Sequence, residues 1–354
     1  VSSLGTTPDV LVVGAGVIGA AVAYEAAGRG HSVLLVDRGA PGGEASSAAA
    51  GVLAVGNGRA EDEPHLALRR ASLARFPALA AALADETGID VALDTAGLLE
   101  LCRSEEEEAT GAARAARRRA EGFRVERLSA VEVRGEELHV HPDVRAAFHW
   151  RDDARVDPVR LVDALVAGAR RRGAEVWSGA AVTAVDRAGD RVARVAAGTA
   201  WVTPGTVVLA AGAWAAGVAG LAPDVGVEPA RGQMLALRPA STLFRHTLAA
   251  ADGYLVPCRN GEILVGATVE RVGFTKAVTP AGVRELLARL AAIAPSALTA
   301  PIARMWAGLR PWAPGGPVVR RAARASNLVL ACGHYRSGIL LAPETAVAVA
   351  DILG

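Results

Sequence analysis

The apolar positions of the chain recur with two periods, and the order in which those periods alternate predicts its elements. Residues 10–13, "VLVV", form a short unbroken apolar run, the pattern of a strand buried on both faces. Small and apolar residues follow as far as Gly28, as a helix packed closely on a sheet requires. A second apolar run, "SVLLV" from Ser32, ends at Asp37. Helical periodicity marks 61–86 and 105–121, "GLLELC" at 97–102 reads as a strand, and 157–173 is a helix with an Asp-Pro start and a glycine stop. "AEVWSG", "AVTAVDR", "RVARVAA" and "TVVLAAG" read as short strands. "EPARGQMLALRP", "DGYLVPC" and "GEILVGATVE" follow as strands separated by turn residues. The segment 279–295 is a capped amphipathic helix, and 338–353 is an apolar one. No repeat and no low-complexity linker interrupts this order, which points to interleaved domains.

Composition narrows the class. At 354 residues the chain exceeds the usual limit of one core, so two domains are expected. Hydrophobic residues make up 51% and the formal net charge is +1, which gives no electrostatic case for nucleic acid or an anionic membrane. The densest basic cluster, Arg117 to Arg119, follows Glu105 to Glu108 on one helix and reads as a solvated, mutually paired surface. Cys102, Cys258 and Cys332 are odd in number, far apart and outside any CxxC pair, which suits a reducing cytoplasm. The opening "VSSLGTTPD" is polar without a basic leader, so it does not read as a signal peptide. The stretch from Val10 to Gly28 is apolar enough to suggest a membrane span, but its glycines and Glu25 argue against one. No zinc, EF-hand or Ser-His-Asp spacing is recognisable.

Candidate chemistry begins with Gly14-Ala15-Gly16-Val17-Ile18-Gly19 between the first strand and helix. Gly14 allows the sharp turn, Gly16 lets backbone N–H groups approach a pyrophosphate, and Gly19 lets helix and strand touch. The helix N-terminus offers partial positive charge to phosphates, and Asp37 stands near the spacing of a ribose-binding acid. No second such motif follows a later strand, since "VVLAAGAWAAG" at 207–217 has Trp214 in place of the middle glycine. One dinucleotide is therefore expected, with no separate nicotinamide site. "EASSAAAGVL" at 44–53 supplies hydroxyls and then tiny side chains that would admit something flat, although alone it reads as an ordinary loop.

The far end of the chain carries concentrated polarity. Arg310 stands among Trp306, Leu309 and Trp312, and no acid occurs between Glu285 and Glu344. Its partner is then a remote acid, a ligand carboxylate gripped bidentately, or an aromatic face. Tyr254 alone reads as a core or rim residue, and His334 without a nearby carboxylate forms no triad. Lys276, near a turn, carries no expectation of catalysis.

These stretches, together with "RGQMLAL", "LVGATVE", "WAGLRP" and "GHYRSGILLAP", occur in an order that resembles the FAD-dependent glycine oxidases of thiamine biosynthesis, within the D-amino-acid oxidase and sarcosine oxidase superfamily. The resemblance covers residues 9–353. It implies an α/β fold: a Rossmann-like FAD-binding domain of glutathione-reductase type (1–80, 152–218 and 318–354), interrupted by an α+β substrate domain with a large mixed sheet (81–151 and 219–317). Gly14, Gly16, Val17, Ile18 and Gly19 would hold the pyrophosphate, and Asp37 and Arg38 the adenosine ribose. Ser46, Ser47, Ala49, Ala50, Gly51 and Val52 would line the flavin side, and Val182 the adenine side, with Ala211 and Gly212 completing the cofactor groove. His334, Tyr335, Arg336, Ser337, Gly338, Ile339 and Leu340 would form the loop and helix start beside the flavin ring. Arg310 and Arg336 would hold a substrate carboxylate, with Tyr254 closing the site. The implied reaction is oxidation of a small amine or amino acid, chiefly glycine, with dioxygen as acceptor, in a cytoplasmic enzyme for which a homo-oligomer is open. An oxidase or dehydrogenase of another amine (sarcosine, a D-amino acid or a biosynthetic intermediate) on the same scaffold, or a flavin-binding protein without turnover, is the alternative. "APGGPVVRR" at 313–321 lacks an aspartate and one residue of the family pattern, and Ser337 replaces a common asparagine. No cysteine stands near "WAGLRP", which implies non-covalent FAD.

Overall fold

A computed structural model describes residues 6–57, 64–250 and 253–354. Val10–Val13 lies in the middle of a six-stranded sheet, paired in parallel with Thr206–Leu209 on one side and Val33–Val36 on the other. Ala325–Cys332 extends the sheet next to Thr206–Leu209, and Glu175–Trp177 extends it beyond Val33–Val36. Val318–Ala322 closes one edge in antiparallel pairing. Alternate side chains of the central strands enter different layers. Val10, Val12, Val33 and Leu35 pack with the helices Val17–Gly28, Pro158–Arg171 and Gly338–Leu353. Leu11, Val13, Leu34 and Val36 pack with Val192, Val195 and Val202 of a three-stranded antiparallel sheet. Burial on both faces is why these strands read as unbroken apolar runs.

The second body is an eight-stranded sheet. Its order is Ile302–Trp312, Glu228–Leu237, Ile263–Gly266, Gly253–Pro257, Thr247–Ala250, Leu98–Cys102, Ala146–Trp150 and Val125–Ser129. Only the Thr247–Ala250 pairing with Leu98–Cys102 is parallel. The helix Pro280–Ile293 covers one face with Leu286, Leu290 and Ile293. The opposite face looks toward the six-stranded sheet. At its end stands the helix Glu105–Ala120, opened by a Ser104–Glu107 capping box and carrying acids in its first turn and arginines in its last.

Most of the elements that the periodicities mark lie within two residues of the expected bounds, including the last helix at Gly338–Leu353. The helix expected at 61–86 runs Leu66–Thr87, with 61–63 outside the described residues. "TVVLAAG" ends as a strand at Leu209 and turns into a short 3-10 helix at Gly212–Gly217. "DGYLVPC" is a strand over Gly253–Pro257, Asp252 lying outside the described residues. "GEILVGATVE" is a strand only over Ile263–Gly266. No periodicity marks the strand Ile302–Trp312, nor those at 125–129, 146–150, 247–250, 318–322 and 325–332. One surface expectation is corrected: Arg118 is completely buried, because it tucks under the 54–57 turn, donating to Gly56 O (3.3 Å) while its Nη1 pairs with Glu121 (2.7 Å).

Candidate functional site

The glycine turn is built as its chemistry requires. Gly14 has φ +104°, and a Cβ there would come 2.5 Å from Ala210 O. Gly19 presses its backbone on Gly14 O so closely that any side chain would overlap it. Two remote side chains pin the turn. Ser46 Oγ accepts from Val17 N–H (2.9 Å), and Asp37 Oδ2 accepts from Ala15 N–H (2.7 Å). The other Asp37 oxygen accepts from Gly39 N–H (2.8 Å), so the carboxylate shapes the strand end that frames the turn.

A cavity of about 370 Å³ opens from this turn toward the large sheet. Of the residues predicted to hold a cofactor, Gly16, Val17, Ile18, Ser46, Ala49, Ala50, Gly51, Val52, Gly212 and the whole run 334–340 line it. Gly14 and Gly19 support its wall from behind. Asp37, Arg38, Ser47, Val182 and Ala211 lie outside the lining: Arg38 pairs with Glu44 (3.0 Å) and lies over Trp214, Ser47 bonds Glu44 O (3.2 Å), Val182 pairs with Ala197, and Ala211 precedes the 3-10 turn. The cradle fits FAD. The first helix points its N-terminus into it, where backbone donors suit a pyrophosphate. Ala48 faces Gly308 so closely that a Cβ on the glycine would sit 2.5 Å from the alanine methyl, leaving only small groups beside a planar ring.

Arg310 comes from the strand Ile302–Trp312, and its guanidinium lies across Gly232 of the neighbouring strand, where any side chain would displace it. Nη1 donates to Thr268 O (3.0 Å), and the Tyr254 ring, lying over Gly266, meets it from the next strands. Burial holds the Arg310 pKa below its ordinary value, and Arg336 across the cavity adds repulsion that Tyr254 offsets. Among the described residues no carboxylate pairs with Arg310, so the remote-acid alternative is not met. Two glycines thus let side chains from two strands converge, and with Arg336 from the 335–337 turn the three residues predicted for the substrate share one cavity.

His334 is 3% exposed, its Nε2 lies 2.9 Å from Thr345 Oγ1, and burial pushes its pKa down to about 4. It is a neutral brace for the last helix, and the turn above it places Tyr335 at φ +49°, a left-handed conformation that non-glycine residues rarely hold. Behind this turn, a second cavity of about 230 Å³ borders the altered loop, where Gly315 O meets His65 Nε2 (3.1 Å). Lys276 pairs with Glu44 at 2.9 Å, away from the lining.

Sequence reasoning missed Asn57, Arg69, Glu100 and Arg114, all of which line the main cavity. Arg69 is 5% exposed and donates to Ser337 Oγ (2.7 Å) and Ala54 O. Nearby Asp153 accepts from Val55 and Gly56 N–H (2.8 Å each), and burial lifts its pKa to about 6 against those bonds and Arg69. A signal existed: Arg69, Ser72, Phe76 and Leu83 fall on one helical face, and all four are buried.

Comparison with known proteins matches the same architecture. The family described as DAO, FAD dependent oxidoreductase, matches residues 9–352. Glycine oxidase of Geobacillus kaustophilus (strain HTA426) is 35% identical over 355 residues, covering 98% of this chain and 92% of that protein. The bifunctional protein ThiO/ThiG of Trichormus variabilis is 32% identical over 360 residues, covering 98% of this chain and 53% of that longer protein. The crystal structure of glycine oxidase from Geobacillus kaustophilus superposes with a TM-score of 0.92 at 33% identity, over 98% of this chain and 95% of that one.

Proposed function

We propose a function from one premise: the chain belongs to the DAO family of FAD-dependent oxidoreductases. It is an FAD-dependent enzyme, and its chemistry is the oxidation of an amine or amino acid. Within that chemistry, the substrate is a small α-amino acid and glycine is its simplest form. The six-stranded sheet and its glycine turn carry the cofactor, and the face of the eight-stranded sheet carries the substrate.

The observation that supports this reading is Arg310, half-buried in the cavity with a neutral carbonyl and a tyrosine as its neighbours. A guanidinium so placed has donors left for a planar carboxylate. Arg336 supplies the second positive charge and Tyr254 closes the pocket, so the α-carboxylate is fixed and the Cα–H is oriented. A bound flavin would supply the two-electron acceptor for the hydride equivalent, with dioxygen as the proposed final acceptor. The chain's own part is positioning and charge, since His334 is neutral and engaged with Thr345. The last helix aims its N-terminus at the cavity, where its dipole stabilises negative charge. No cysteine is among the cavity-lining residues described, and burial raises the Cys258 and Cys332 thiols to about 11, which supports non-covalent binding of the cofactor. Three unpaired cysteines suit a reducing, cytoplasmic setting.

With glycine, oxidation yields the imine, which water converts to glyoxylate and ammonia, while dioxygen becomes hydrogen peroxide. A panel of small amines assayed for peroxide tests this. Glycine or a close homologue should give stoichiometric peroxide. Turnover only with an artificial dye would identify a dehydrogenase, and no flavin reduction by any member would leave a binding protein.

A further inference from the structure

The cavity does not stop at the clamp. Tyr254 pairs in register with Ala249, and Ala249 with Glu100, so the floor continues for two strands past the tyrosine, about 10 Å at ordinary strand spacing. Among the described residues, the side chains on the way are Ala249, Ala250 and Gly253, with Leu98 beside Glu100 as the one larger apolar group. Tyr254 leaves this stretch uncovered because its ring leans the other way, over Gly266. At the far end stands Arg114, brought in by the helix Glu105–Ala120 and ion-paired with Glu100.

The hydrogen-bonding state of that pair is asymmetric. Glu100 accepts from Arg114 through Oε1 and from Trp150 Nε1 through Oε2 (3.0 Å), so both its oxygens are engaged. Arg114 gives one nitrogen to Glu100, its Nε is buried with no partner, and its guanidinium lies 5.5 Å from the Trp150 ring centre. Glu100 keeps lone pairs, but its charge is already matched by Arg114, whereas Arg114 keeps an N–H donor without a partner. A second carboxylate therefore gains charge-assisted bonds from Arg114.

We propose that Arg114 determines specificity for a second acidic group: the preferred substrate is an amino acid carrying a carboxylate at the end of its side chain, held at the α-carboxylate by Arg310 and read at the far end by Arg114. Glycine fills only the clamp. This rests on the oxidase reading for turnover, while the recognition itself can be tested without turnover.

Two matched pairs test it on the holoenzyme. The first compares 2-aminoadipate with 2-aminohexanoate, both enantiomers of each, by kcat/KM; the two share chain length and differ in the terminal carboxylate. The dicarboxylate should be favoured at least about tenfold, the scale of one charge-assisted bond. The second compares adipate with hexanoate by calorimetric titration, which needs no oxidation. Arg114→Met should bring both ratios close to one. Glu100→Gln, which removes the competing negative charge while keeping an acceptor for Trp150, should tighten adipate. Equal or better use of the uncharged-tail compounds by the wild type, survival of the ratio in Arg114→Met, or weaker adipate binding in Glu100→Gln would each overturn the proposal. If no amino acid reduces the flavin but adipate still binds through Arg114, the oxidase reading fails and the recognition stands.

Discussion

Arg310 and His334 show how differently burial treats two basic side chains in one cavity. The Arg310 guanidinium remains charged although burial lowers its pKa, and its bond to Thr268 O leaves donors for a ligand anion. Arg310→Met should cut kcat/KM for amino acids by about 30- to 5,000-fold, the equivalent of about 2–5 kcal/mol for losing one side of a desolvated charge pair. The flavin content of the purified variant should match the wild type, because Arg310 belongs to the sheet facing the cofactor turn. His334 is uncharged in the folded chain down to about pH 4, whereas an unfolded histidine takes its proton near 6.5. The unfolded state therefore binds more protons between those values, and the folded state loses stability as pH falls through that window. Asp153, lifted to about 6, works in the opposite direction over nearly the same range, since the folded chain there holds a proton that the unfolded chain releases. The net profile hides both, so the check is a difference: denaturation of wild type and His334→Gln between pH 7 and 4. Acidification should destabilise the wild type relative to the variant by about 1.4 kcal/mol per pH unit below 6.5. Parallel profiles would show that His334 is protonated in the fold.

At the scale of elements, the site depends on glycines inside strands. Gly232 is the floor under the Arg310 guanidinium, and Gly266 the floor under Tyr254. Gly232→Val should push the arginine off its position and raise KM for amino acids at least about tenfold while FAD remains bound, because the guanidinium is the flexible partner in the clash. Gly19→Ala meets backbone instead, at Gly14 O, and should yield protein purified without yellow colour. The two classes of glycine also divide what the sequence could tell. The turn at Gly14–Gly19 was legible because its chemistry is local: strand, turn, helix and acid follow one another in the chain. Gly232 and Gly266 carried no local sign, since their role appears only when Arg310 and Tyr254 arrive from other strands. The strand Ile302–Trp312 is illegible for a different reason. Ile302, Ala303, Arg304 and Met305 are exposed at a sheet edge, so no alternation marks it. Arg118 looked solvated beside its charged neighbours, and only packing under the 54–57 turn buries it. Arg69 was legible in principle from its helical face, but a charge on an apolar stripe reads first as a surface residue.

For the whole molecule, the connectivity matters most. Strands of the six-stranded sheet come from the beginning, middle and end of the chain, and the eight-stranded sheet is threaded between them. The cofactor cavity takes lining from both sheets. FAD should therefore stabilise the protein as a unit. At a free concentration about 100 times its Kd it should add about 2.7 kcal/mol and raise one cooperative thermal transition. Two transitions, only one of them sensitive to FAD, would mean that the sheets unfold independently.

The central claim is that Arg310 and Arg336 clamp a carboxylate against the cofactor. It is tested most directly by anaerobic mixing of holoenzyme with glycine, following loss of the oxidised flavin absorbance in wild type and in Arg310→Met at equal flavin content. Rapid bleaching of the wild type and none, or bleaching slowed at least about 30-fold, in the variant is the expected result. Bleaching at the same rate and the same half-saturating glycine in both proteins would contradict it.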